Sequence, residues 1–288
     1  QDSGQGHATM FTQMVSDALG LDWDRVRIIE GDTDRIRMGS GSFGARSAPI
    51  GGSALMKAAD KIIVKGRLIA AHLLEAAESD LDFADGQFSV GGTDKHISLV
   101  EVAKSSFQLA KMPLDLEPGL YEFASFRAEK ATYPNGCHVC ELEVDPETGA
   151  TRLLAYTMVD DVGRVINPLL LAGQLVGGAV QGAGQALMEN IHYDGQSGQL
   201  LSGSLMDYAM PRATDVCPFS IHENEILTDA NPMGVKGAAE AGTVGALSAV
   251  MNALNNALAP LGIRHLDMPA TPERVWRAIR NAGNGAKN

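Results

Sequence analysis

Apolar residues recur at helical spacing through Met10, Phe11, Met14, Val15 and Leu19, and again through Leu55, Ala58, Ala59, Ile62, Ile63, Leu68, Ile69 and Leu73. Side chains three and four residues apart share one helix face. Both stretches therefore predict packed helices, the longer running from Gly52 to about Ser79 with a break near Gly66. Val26 to Glu30 reads as a short strand. Phe83 to Val90 reads as a hairpin around Asp85-Gly86, and Ser98 to Phe107 as a short helix whose N-cap Ser98 forms a capping box with Glu101. A second hairpin is predicted from Gly136 to Asp145 and Thr151 to Val159, joined by the turn Pro146 to Gly149. Leu169 to Met188 and Thr243 to Leu258 predict further helices. Thr271 as N-cap and Pro272 at the first helical position open a terminal helix, and Asn281 to Asn288 is expected to fray.

Composition narrows the function classes. An apolar content of 45% over 288 residues allows a substantial core, in one large domain or two lobes. The net charge of −12 disfavours non-specific nucleic-acid binding and attachment to an anionic membrane. Three cysteines, an odd number, argue against a disulfide framework and make a reducing, cytoplasmic setting the expectation. Glycine or charge interrupts every long apolar run, so neither a signal peptide nor a membrane span is expected. The opening Gln1 to His7 leads straight into a helical pattern, so the chain is expected to start inside a structure.

Candidate chemistry gathers in the glycine-rich stretches. Asn231 to Ala246 sets one carboxylate, Glu240, among small residues, with glycines at 234, 237, 242 and 245. Glycine lets backbone approach a ligand closely, and a carboxylate held there away from bulk water is a candidate base. The alternative is an acid in the first turn of the following helix, stabilised by its dipole. Gly4-Gln5-Gly6 precedes the first helix, and the glutamine amide offers both donors and an acceptor; a plain surface turn is the alternative. His7, without a partner at ligand spacing, reads as a polar first-turn residue rather than a metal ligand.

Gly39-Ser-Gly-Ser-Phe-Gly44 formally matches G-x-G-x-x-G, but that fingerprint needs its first glycine directly after a strand, and Asp32 to Arg37 intervene. The loop is either an anion nest of backbone N–H groups or a flexible glycine-serine segment. Cys137 and Cys140 have C-x-x-C spacing. On a strand they point to opposite faces and no second pair exists, so both, like Cys217, are read as packing residues rather than zinc or redox ligands. Asp160 to Pro168 leads into a helix with Gln174, Gln181 and glycines at 173, 177, 178, 182 and 184. Each helical glycine costs roughly 1 kcal/mol against alanine. Close approach of another helix or of a cofactor must offset that.

Taken in chain order, Gly4-Gln5-Gly6, Gly41-Ser-Phe-Gly-Ala-Arg-Ser47, Asp161-x-Gly163-x-x-x-Asn167-Pro168 with Gln174, and Gly234-Val-Lys-Gly-Ala-Ala-Glu240-Ala-Gly resemble the large subunit of the molybdenum hydroxylases. That family comprises xanthine dehydrogenase, aldehyde oxidase and carbon monoxide dehydrogenase. The resemblance implies an α+β fold, a two-lobed molybdopterin-binding domain with lobes at 1–115 and 116–288. It implies cofactor contacts from Gly4, Gln5, Gly6, Ser42, Phe43, Gly44, Ala45, Arg46, Ser47, Gln174, Lys236 and Gly237, with no side chain ligating molybdenum. The cofactor is expected to be molybdopterin in its cytosine dinucleotide form. Glu240 is expected to act as catalytic base on the water-derived oxygen that attacks an aldehyde, an N-heterocycle or carbon monoxide.

Iron–sulfur clusters and FAD are expected on partner subunits or domains. The resemblance covers only the C-terminal part of the family's large subunit, so its N-terminal half is an expected partner and the chain should enclose part of an active site. Two rival readings are a non-catalytic assembly fragment that binds no cofactor alone, and a nucleotide-binding module built on Gly39 to Gly44.

Overall fold

The computed structural model describes residues 1–36 and 38–285. It divides into two compact units, the first Gln1–Ala131 with Asp229–Gly234, the second Thr132–Thr228 with Val235–Asn288.

In the first unit, helix α1 (His7–Leu19) starts at Gly6 and ends at Gly20, both left-handed. A π-helical turn, Ser47–Gly52, runs directly into α2 (Ser53–Leu74). The helix passes through Gly66 without the predicted break. A Cβ at Gly66 would stand 2.9 Å from the Phe88 ring, so the glycine makes room for a neighbour rather than interrupting the helix. Strands β1 (Leu81–Ala84), β2 (Gln87–Val90) and β3 (His96–Ser98) form an antiparallel sheet in that order. Asp85 and Gly86 both take positive φ, the geometry of a two-residue hairpin turn. Ser98 caps α3 (Leu99–Ser105), and its predicted capping box with Glu101 is present. Ile69, Ala70, Leu81, Phe88 and Val102 close this unit's core. Val26 to Glu30 is not a strand, because no described segment pairs with it to form a ladder.

In the second unit, β4 (Asn135–Val144) and β5 (Thr151–Asp161) form the predicted hairpin. Asn167 caps α4 (Pro168–Leu187), its side-chain oxygen accepting from the Leu170 N–H. The chain then returns as β6 (Phe219–Glu223), which pairs parallel to β5. This strand escaped the sequence pattern, being five residues long and mostly exposed. Helices α5 (Ala241–Leu258) and α6 (Pro272–Gly285) complete the unit. The terminal helix continues through the expected fray as far as Gly285, and residues 286–288 lie outside the described part.

Tyr156, Met158, Leu175, Val250 and Leu254 are buried in one cluster between sheet and helices. The α4 and α5 backbones touch. A Cβ at Gly242 would lie 2.3 Å from the Leu175 carbonyl oxygen, and one at Gly182 2.6 Å from that of Thr243. The observed architecture is α+β. Among the described residues, no helix is long and apolar enough to cross a membrane.

Candidate functional site

The first unit's site begins with Asp2. Its Oδ1 accepts from the backbone N–H groups of Gly4 and Gln5 at 3.0 and 2.8 Å, and its Oδ2 from that of His7 at 3.0 Å. One carboxylate thus shapes the Gly-Gln-Gly turn and places negative charge at the N-terminus of α1. Gln5 is half-buried, its side-chain oxygen accepting from the Ser3 N–H.

His7 stands in the first turn of α1, as expected. It is buried, with Nδ1 3.2 Å from Glu30, while Nε2 has no hydrogen-bond partner among the described residues. Sequence spacing missed this pair because 23 residues separate its members.

The second loop lies in the same unit. Gly41, Gly44 and Ala45 have φ of 82°, 57° and 49°. Gly41 and Gly44 have open space where a Cβ would stand. The Ser42 and Ser47 hydroxyls hydrogen-bond at 2.7 Å, and the Arg46 guanidinium stacks over Phe43, 4.7 Å from its ring centre. A cleft of about 740 Å³ is lined by His7, Arg27, Glu30, Ser42, Arg46 and Ser47 among others. Neither Arg27 nor Arg46 has a carboxylate partner among the described residues. Guanidinium groups without a carboxylate partner, beside hydroxyls and glycines with open space, suit an anionic ligand such as a phosphate.

The second unit carries Glu240. Against the expectation of a carboxylate held away from water, it is exposed, standing at the N-cap of α5 without a side-chain capping bond. The loop before it is firmly held. Val235 bridges to Gly163, and the Lys236 N–H donates to the Val162 carbonyl at 2.8 Å. Lys236, expected to contact cofactor, places its ammonium 2.5 Å from Asp161, with both side chains about nine-tenths buried. Gly237 is buried beside it. Gln174 is half-buried on α4, between Gly173 and Gly177, two exposed glycines with open space at their Cβ positions.

Of the cysteines, Cys140 packs against the core and burial pushes its thiol up to about 11. Cys217 is buried as expected. Cys137 is exposed, contrary to the packing reading, because it lies with Val139, Glu141 and Glu143 on the exposed face of β4. No group of His, Cys, Asp and Glu among the described residues has the makings of a metal site.

Residues 1–217 match the family model of the molybdopterin cofactor-binding domain. The chain is 36% identical over 278 residues to the carbon monoxide dehydrogenase large chain of Hydrogenophaga pseudoflava, covering 96% of this chain and 34% of that protein. It is 37% identical over 279 residues to the nicotine 6-hydroxylase large subunit of Paenarthrobacter nicotinovorans, covering 96% and 34%. Reconstituted CO dehydrogenase from Oligotropha carboxidovorans superposes with a TM-score of 0.92 at 34% identity, over 99% of this chain and 35% of that one. The chain therefore spans about a third of the length of these relatives. By match, identity and fold, it belongs to the molybdopterin-binding large subunits of the xanthine dehydrogenase, aldehyde oxidase and carbon monoxide dehydrogenase family.

Proposed function

We propose that this chain is the cofactor-binding, base-bearing part of the catalytic large subunit of a molybdenum hydroxylase, oxidising an aldehyde, an N-heterocycle or carbon monoxide with water as oxygen source. The cleft of the first unit carries the reading: two arginines without carboxylate partners among the described residues and two serine hydroxyls line it, beside left-handed glycines with open space. These residues fit a pterin joined to a nucleotide through phosphates.

In this reading Arg46, Ser42 and Ser47 hold phosphate, and Phe43, Gly44 and Ala45 shape the loop around it. Gly4, Gln5 and Gly6 offer backbone and amide to the pterin edge. Gln174 and Gly237, both in the second unit, are read as cofactor contacts on the family resemblance. The cofactor, in the cytosine dinucleotide form, supplies the redox chemistry when bound. Glu240 is the proton acceptor, a role that typically contributes about 10²–10⁴-fold. The rest of the large subunit, an iron–sulfur subunit and an FAD subunit complete the enzyme, and the isolated chain is inactive.

A second reading, an assembly fragment that binds no cofactor, draws on the exposure of Glu240. Metal and nucleotide analysis separates the two. Molybdenum with a pterin nucleotide in the complex from its native source, lost together with activity in Arg46→Ala, supports the first. In that complex Glu240→Gln should abolish turnover while cofactor content stays unchanged. Absence of molybdenum from a folded native complex favours the second.

A further inference from the structure

Glu240 is aimed by a loop whose fixing points lie elsewhere. Asp161, at the end of β5, accepts through Oδ1 from the backbone N–H groups of Gly163 at 2.9 Å and Ile226 at 3.2 Å. Its Oδ2 meets Lys236 Nζ at 2.5 Å. One carboxylate thus ties together the β5 turn, the segment after β6 and the loop four residues before Glu240. The Lys236 backbone is held at the same place, through the Val162 carbonyl and the Val235–Gly163 bridge. After Glu240, Gly242 lies on the α4 backbone with no space for a Cβ. Glu240 therefore stands between two fixed points.

The pair is largely withdrawn from water, with 11% of the Lys236 side chain and 8% of the Asp161 side chain exposed. Removing one member of such a pair leaves a buried charge uncompensated. Burial opposes the Asp161 charge, but Lys236 and the two backbone N–H groups more than offset it and hold the carboxyl below the usual aspartate range.

We infer that Asp161 is a positioning residue for Glu240, acting through Lys236, whose ammonium anchors the loop instead of reaching the cofactor. The inference rests on the proposed reading of Glu240 as proton acceptor. A carboxylate displaced by about 1 Å costs on the order of 10²-fold in rate, because base and substrate no longer meet in reacting geometry.

The test uses the complete enzyme with Asp161→Asn and Lys236→Met beside Glu240→Gln. Lys236→Met keeps the backbone hydrogen bonds of Asp161, so it reports even where Asp161→Asn fails to fold. Molybdenum and pterin content and KM should stay unchanged while kcat falls on the order of 10²-fold. Lys236→Arg, which keeps the charge, should retain more of kcat than Lys236→Met. Amide exchange on this chain should quicken at Lys236 and Gly237 in Lys236→Met. Wild-type kcat in Lys236→Met overturns the inference. So does loss of cofactor in that variant, which marks a ligand-holding ammonium. Turnover in Glu240→Gln overturns the proposed reading and this inference with it, and so separates the two failures.

Discussion

The imidazole of His138 rests on the backbone of Gly245, where a Cβ would stand 2.3 Å from Nδ1. The ring cannot retreat. Its Nδ1 meets the Tyr156 hydroxyl at 2.9 Å and its Nε2 meets Asp160 at 3.2 Å, all three side chains being buried. Burial raises the Tyr156 hydroxyl above its ordinary range, so it keeps its proton beside His138. Gly245→Ala must either push α5 off the sheet or break a buried hydrogen bond, at a cost of about 1–3 kcal/mol. Urea unfolding of the variant should show a lower midpoint with an unchanged slope.

Two glycines of α4 predict opposite signs. Gly177 has nothing within 4 Å of its Cβ position, so Gly177→Ala should stabilise this chain by about 1 kcal/mol through helix propensity. Gly182 faces the Thr243 carbonyl oxygen at 2.6 Å and the Ala246 side chain at 2.8 Å, so Gly182→Ala should lower the melting midpoint. Thermal melts of both variants check the pair together. A stabilising Gly182→Ala would contradict the helix contact described above.

The thiols should react unequally. With burial holding Cys140 near 11, about one thiol in a thousand is ionised at pH 8. Burial also raises Cys217. Alkylation of the folded chain, read by mass spectrometry, should modify the exposed Cys137 alone and reach the other two only after unfolding.

Acid should loosen the Gly-Gln-Gly turn before it unfolds the chain. Burial opposes the Asp2 charge, but the N–H groups of Gly4 and Gln5, with His7, outweigh it and depress the carboxyl. A group depressed on folding contributes stability above its unfolded value, and that contribution is lost as pH falls through the folded one. Amide exchange at Gly4 and Gln5 should therefore accelerate below the usual aspartate range, and Asp2→Asn should abolish that dependence. An unchanged dependence in Asp2→Asn would locate the titration elsewhere.

Local signals carried much of the fold into the sequence. The Ser98–Glu101 box, the Asp85-Gly86 turn and the Asn167-Pro168 helix start depend on neighbours within a few residues, and each forms as read. The glycines of α4 signalled close approach, and Gly178, Gly182 and Gly242 supply it between helices. What stayed hidden depends on partners far along the chain. Asp161 lies 75 residues from Lys236 and His7 lies 23 from Glu30, and no spacing rule connects them. Gly66 misled because its near neighbour, Phe88, is brought there only by folding. Val26 to Glu30 has the composition of a strand, yet a strand also needs an adjacent edge to pair with.

Asp160 and Asp161 are adjacent, yet the pleat of β5 turns one toward His138 and the other toward Lys236. Deleting one residue between the β4–β5 turn and Asp160 would exchange them, presenting Asp161 to the imidazole and Asp160 to the loop side. Both carboxylates would survive in composition while neither kept its neighbours in place. Counting along β5 is therefore as much a determinant of this region as the acids themselves. Sequences that keep both aspartates but change that count should lose the loop's anchorage.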